Sequence, residues 1–229
     1  MQAQEDRVIL SLLSVFLGWL LGQGTTMVRD WHNRQRLKDS LFLELNDLKV
    51  QIERRVLIYM RLVQGSTIGV IEHSLSTPIH SYFFEHHYKD VFSKLNHQQR
   101  LSYQLIHESM ESLNQLELRL DNKADELIKG LRANPEKAIQ IKLLTDWHEL
   151  VKHAYIAAND DLWHINYHLE NPRKPVLDLL GPMHEAFLKH KAEVEKNLAS
   201  IIEKAKSFPV SKFDTTYDPK DFDRYRPAP

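Results

Sequence analysis

The apolar positions of this chain fall into two patterns. From Val8 to Val28 the sequence runs VILSLLSVFLGWLLGQGTTMV, 21 residues without a charge. Beyond Arg34, apolar residues recur every three or four positions with charged residues between them. An uncharged helix of about 20 residues can cross a hydrocarbon core of ~30 Å, whereas the second spacing marks helices with one apolar stripe. The pattern predicts a short segment at 1–7, a transmembrane helix at 8–28, a helical body at 29–208 and a Pro-rich tail at 209–229.

A signal peptide fits the N-terminus less well. The leading MQAQEDR offers one arginine beside Glu5 and Asp6, and no small-residue cleavage pattern follows. Arg29, Arg34, Arg36 and Lys38 follow the span, only Arg7 precedes it, and Trp31 stands where an interfacial aromatic belongs. Basic flanks stay on the cytoplasmic side, so the expectation is a single-pass protein with its N-terminus out and its body in the cytoplasm, as in a bacterial inner membrane. The basic residues can also meet anionic headgroups.

Small residues within the span are ordered. Ser11, Ser14, Gly18, Gly22 and Thr25 are spaced 3, 4, 4 and 3 apart and include a GxxxG. At ~100° per residue they share a stripe roughly 80° wide, the type of face along which membrane helices pack closely. The expected partners are therefore the lipid bilayer, a second copy of the chain and a cytoplasmic protein.

In the body, Leu41, Leu45, Leu48 and Ile52 repeat at 4, 3, 4, and Tyr59 and Leu62 continue the register past Arg55. This coiled-coil-like seam is short enough to pack within its own domain. With no proline or glycine between Arg34 and Val63, one helix continues the anchor or begins just after it. Residues 65–77 break it, and Ser76-Thr77-Pro78 predicts the start of an aromatic-rich helix at 79–95. Asn96 recaps, and His97 to Arg132 carries Leu101, Leu105, Met110, Leu113, Leu116, Leu120, Leu127 and Leu131 on its apolar side. Asn134-Pro135-Glu136 opens a helix to about Glu170. A last helix is expected over Val176 to Ser207, bent at Gly181-Pro182, with Leu177, Leu180, Phe187, Val194, Leu198 and Ile201 inward. The fold class is all-α, a cytoplasmic bundle of four to five long helices in up-down order on a membrane stalk.

Composition narrows the chemistry. There is no cysteine, which removes disulfides, thiolate catalysis and Cys-type zinc sites. Only Gly65, Gly69, Gly130 and Gly181 lie beyond the apolar segment, and neither GxGxxG nor GxxxxGK[ST] occurs. Lys+Arg 30 against Asp+Glu 31 argues against a nucleic-acid partner. No cofactor and no metal are expected.

The thirteen histidines supply the remaining candidates. His164 and His168 share a helical face with Asp161, after His148 and His153, but no Glu-x-x-His of the bundle-metal type occurs. Glu85, His86 and His87 are adjacent on a helix, near His80, and must point apart. Trp147 and Trp163 read as core anchors. Arg100 and His107, six residues between them, are similar to the Arg-x(4–6)-His pair of HEPN-type ribonucleases, in which a cation meets phosphate charge and an imidazole moves a proton. That resemblance covers two residues, and Leu101 stands where a polar residue often follows the arginine. With no GxSxG either, the sequence points to a non-catalytic, self-associating interaction and assembly protein. An oligomeric membrane effector, such as a defence protein that opens a pore, is the alternative; a HEPN-like nuclease or a metal-binding bundle ranks below it.

Overall fold

The first helix, α1, runs unbroken from Gln2 to Thr67. At 1.5 Å per residue it is roughly 100 Å long, far longer than the domain it serves. The computed structural model describes residues 2–73, 77–133, 136–178 and 180–207, with side chains from residue 14 onward. The expected tail at 209–229 and the side chain of Ser11 lie outside the described residues.

Only the second half of α1 joins the core. Leu41, Leu45, Leu48 and Ile52 are fully buried, as is Tyr59 two turns further on, so the leucine seam packs inside its own chain. The helix ends where Gly69 takes a φ of 79°. Val70 N–H donates to Gly65 O at 2.8 Å and Gly69 N–H to Ser66 O at 3.3 Å, the paired closing bonds of a glycine-terminated helix.

Four helices follow: α2 (Tyr82–Val91), α3 (His97–Ala133), α4 (Lys137–Glu170) and α5 (Pro182–Ala205), with a 3₁₀ turn over Phe92–Lys94 after α2. No strand occurs among the described residues. Helix α4 packs against α1, α3 and α5, and one continuous cluster runs through α1, α3, α4 and α5, with Trp147 and Leu120 among its largest buried members.

Helix α3 starts as predicted. Asn96 Oδ1 accepts the Gln99 N–H at 2.9 Å while Gln99 Oε1 accepts the Asn96 N–H at 3.0 Å, a reciprocal capping box. The same side chains reach Arg173 O and Pro172 O, both at 2.6 Å, and so fix the α4–α5 connection.

Several expectations are corrected. Thr77 and Pro78 do not open a helix; α2 begins four residues later, at Tyr82. The reason is tertiary: Ile79 is held by both ends of the Asn114 amide, at 2.8 and 2.9 Å, and the Glu44 carboxylate accepts the N–H groups of Phe83 and Phe84. The last helix does not begin at Val176. Pro182 is its first residue, a position that suits proline because the missing N–H has no partner to lose there. Leu180 consequently lies 97% exposed rather than inward. Leu101 and Leu105 stay about two-fifths exposed, and Trp163 is half-buried, whereas Trp147 is a core residue.

Among the described residues no helix is long and apolar enough to cross a membrane. Val8, Ile9, Leu10, Leu12 and Leu13, the most aliphatic part of the 8–28 segment, lie ahead of the first described side chain.

Candidate functional site

Two regions carry the residues singled out by the sequence. The first is the free half of α1. Every side chain from Ser14 to Arg36 is exposed, and contact with the body begins only at Leu37 and Leu41. Its apolar residues are bare on all sides: Val15, Leu21 and Met27 are 70%, 70% and 76% exposed, with Trp19 and Trp31 close behind.

Gly18 and Gly22 lie on this rod, and a Cβ added at either would meet nothing within 4 Å. Thr25 Oγ1 donates to Gly22 O at 2.9 Å, so its hydroxyl folds onto the backbone. The described members of the small-residue stripe thus lie on open surface. Arg29, Arg34 and Arg36 are exposed just beyond it, and Lys38 is half-buried where the rod enters the bundle.

The second region is the histidine-bearing contact of α3 with α4. His168 is fully buried, with Nδ1 2.8 Å from Ser102 Oγ and its ring against Tyr103. His107 lies under Phe84, their ring centroids 3.6 Å apart, and neither ring nitrogen has a hydrogen-bond partner. Burial, reinforced by His168, pushes His107 down to about 3, and burial takes His168 to about 4. Both are therefore neutral imidazoles at neutral pH. His164 is also depressed, to about 4, by burial and then by His190. Asp161 moves the other way: burial raises it to about 7, against a hydrogen bond from Ser109.

The structure does not assemble these groups into the centres their spacing suggested. Among the described residues no three His, Asp or Glu side chains converge as a metal site. His86 stacks on Tyr82 and His87 packs on Phe83 and pairs with Asp90, so the adjacent histidines diverge. Arg100 donates to Leu95 O at 2.6 Å and covers the Phe92 ring, tying down the turn before α3. His107, two turns away, is capped by Phe84, so the cation and the imidazole have separate structural engagements.

Two cavities flank this contact. One of about 440 Å³ lies beside Phe84, Tyr88 and His107. The other, about 630 Å³, lies between Leu101 and Leu105 of α3, His164 of α4, and Met183 and Phe187 of α5. Sequence reasoning missed the second because leucines at core spacing gave no sign of being left open.

Comparisons with protein-family models, curated proteins and solved structures find no match to this chain.

Proposed function

We propose that this chain is a membrane-anchored helical interaction protein that works by localisation and assembly rather than by catalysis. The observation that carries the reading is the bare apolar rod of α1 between Ser14 and Trp31, which no other part of the described chain covers. Its part from Ser14 to Val28, with residues 8–13 ahead of it, makes up the uncharged 21-residue stretch Val8 to Val28. A bilayer would cover the whole circumference of such a helix, and the basic residues Arg29, Arg34 and Arg36 would hold its C-terminal end, with the bundle, on the cytoplasmic side. The open stripe at Ser14, Gly18, Gly22 and Thr25, with Ser11 before it, is the proposed contact between copies.

The test is flotation of membranes from cells producing the full chain, before and after an alkaline carbonate wash. The reading expects the protein to stay with the lipid. Leu17→Arg with Leu20→Arg, each adding about 2.5–3.5 kcal/mol to insertion, is expected to move it to the soluble fraction. Release of the unsubstituted protein by carbonate would end the anchor reading.

A further inference from the structure

Helix α1 is unbroken from the apolar stretch into the core, so position along it can be counted in residues. Arg55 pairs with Glu117, 62 positions on. The Glu44 carboxylate accepts the Phe84 N–H, and the Phe84 ring covers His107, 63 positions on from Glu44. These two ties give α3 the direction of α1 and nearly the same offset at both levels. Asn96 and Gln99, at the start of α3, therefore stand level with residues 34–37 of α1, where Leu37 first meets the core. Asn96 and Gln99 in turn hold Arg173 O and Pro172 O, both at 2.6 Å. The turn before α3 and the connection after α4 thus form one end of the bundle, and it is the end nearest Val28.

The gap is short. From Val28, the last residue of the uncharged stretch, to the level of these connections is about seven residues, or about 10 Å of helix. Polar headgroups extend roughly 5–8 Å beyond the hydrocarbon on each side, and charges act over a further screening length of about 8–10 Å. With α1 in a bilayer, this end of the bundle lies within electrostatic reach of the leaflet from which α1 emerges.

Positive charge is concentrated there. Residues 29–38, 89–100 and 170–174 carry nine Lys and Arg against three Asp and Glu, in a chain of net charge −1. The opposite end, residues 121–142 around the α3–α4 turn, carries five against four. Lys94, Arg173 and Lys174 are exposed on the near end, and Phe92 beside Lys94 is 44% exposed. Of the acidic residues, Asp30 lies on the free rod, Asp90 faces His87 at 3.5 Å and Glu170 is exposed.

We propose, building on the anchor reading, that this end of the bundle docks on an anionic lipid surface, with Lys94, Arg173 and Lys174 meeting the headgroup phosphates. Lys94 and Arg173 are 79 positions apart in the sequence, and the fold sets both at the level of the basic residues of α1. The bundle is then held against the leaflet by its own connections as well as by the helix that leads into it. Because the attraction is electrostatic, it requires anionic lipid and weakens with salt.

The test uses the full chain in vesicles of phosphatidylcholine alone or with about one-third phosphatidylglycerol, each holding a trace of lipid with a nitroxide on its headgroup. The chain has no cysteine, so Ser93→Cys and Ala133→Cys each carry a single fluorophore, at the near and the far end. Quenching of the Ser93→Cys label is expected to rise about twofold from neutral to anionic vesicles, and the rise to vanish in molar salt, where the screening length falls to about 3 Å. Lys94→Glu with Arg173→Glu and Lys174→Glu should abolish the rise with helical circular dichroism retained. Lys94→Arg with Arg173→Lys and Lys174→Arg should keep it. The Ala133→Cys label should stay unquenched in both vesicles. Equal quenching of the Ser93→Cys label in the two vesicles, or a rise that survives charge reversal in a folded protein, would overturn the docking while the chain still floats with the vesicles. A chain that floats with neither vesicle ends the anchor reading, and the docking with it.

Discussion

Arg55 of α1 and Glu117 of α3 form an ion pair inside the core, with 3% and 5% of their surfaces exposed. The guanidinium also donates to Thr77 O, so one side chain ties together the first helix, the third helix and the segment leading to α2. In the leucine register of α1 this arginine reads as an interruption; in the fold it is the register's fixed point.

The pair sets up the first prediction. Removing one partner leaves the other charge buried without compensation, which is unfavourable by about 3–5 kcal/mol, whereas replacing both by apolar residues is often close to neutral. Glu117→Leu alone should destabilise by that amount in urea titrations followed by circular dichroism. Arg55→Met combined with Glu117→Leu should recover most of the loss. Single and double variants of equal stability would refute the view that uncompensated charge dominates.

Glu44 acts as a cap delivered from another helix. Its carboxylate accepts the Phe83 N–H at 2.6 Å and the Phe84 N–H at 2.9 Å, the free donors of the first turn of α2. Glu44→Ala is expected to lower stability by about 1–2 kcal/mol and to speed amide exchange at Phe83 and Phe84 selectively. Uniform acceleration across α3 and α4 would mean that Glu44 supports the whole core instead.

Stability should vary with pH in a defined direction. His107, His164 and His168 have folded values of about 3, 4 and 4, below the ordinary 6.5, so each binds a proton on unfolding at intermediate pH. Their contribution is complete above about pH 6.5 and is lost as pH falls toward 4. Asp161, raised from 3.8 to about 7, releases a proton on unfolding over the same window and opposes them. Half-buried groups divide in the same way: burial lowers His148 and His190 and raises Glu44 and Asp160. Unfolding free energy should therefore rise between pH 4.5 and 6, and Asp161→Asn should steepen the rise by about one proton, or ~1.4 kcal/mol per pH unit. An unchanged slope in Asp161→Asn would show that this carboxyl titrates normally.

The free half of α1 allows a clean test of self-association. Because a Cβ at Gly18 or Gly22 meets nothing within the chain, Gly18→Ile with Gly22→Ile should leave the fold intact. Light scattering of the full chain in detergent is expected to give an oligomer, and the double variant a smaller species. A mass that does not change between the two would remove the stripe from the interface.

Much of the helical plan is local chemistry and was legible in the residues themselves. The 4, 3, 4 spacing of Leu41, Leu45, Leu48 and Ile52 placed the buried face of α1, and Asn96 marked the start of α3. Pro182 belongs to the same class, although its meaning was misjudged: it starts a helix rather than bending one. The expected anchor rests on residues 8–28, part of which lies outside the described side chains, and Gly18 and Gly22 of the small-residue stripe lie on open surface.

What the sequence determined by itself is therefore the all-helical plan and the buried stripe of α1, because propensity, capping and periodicity act within a few residues. The tertiary structure alone decided which polar groups meet. Glu44 and Phe83 are 39 positions apart, and Ser102 and His168 are 66 apart. It also decided that Leu101 and Leu105 would line a recess rather than a core, since that depends on where α5 begins and how it lies across α4. Spacing along one helix fixes a face; only the packing of several helices fixes what that face touches.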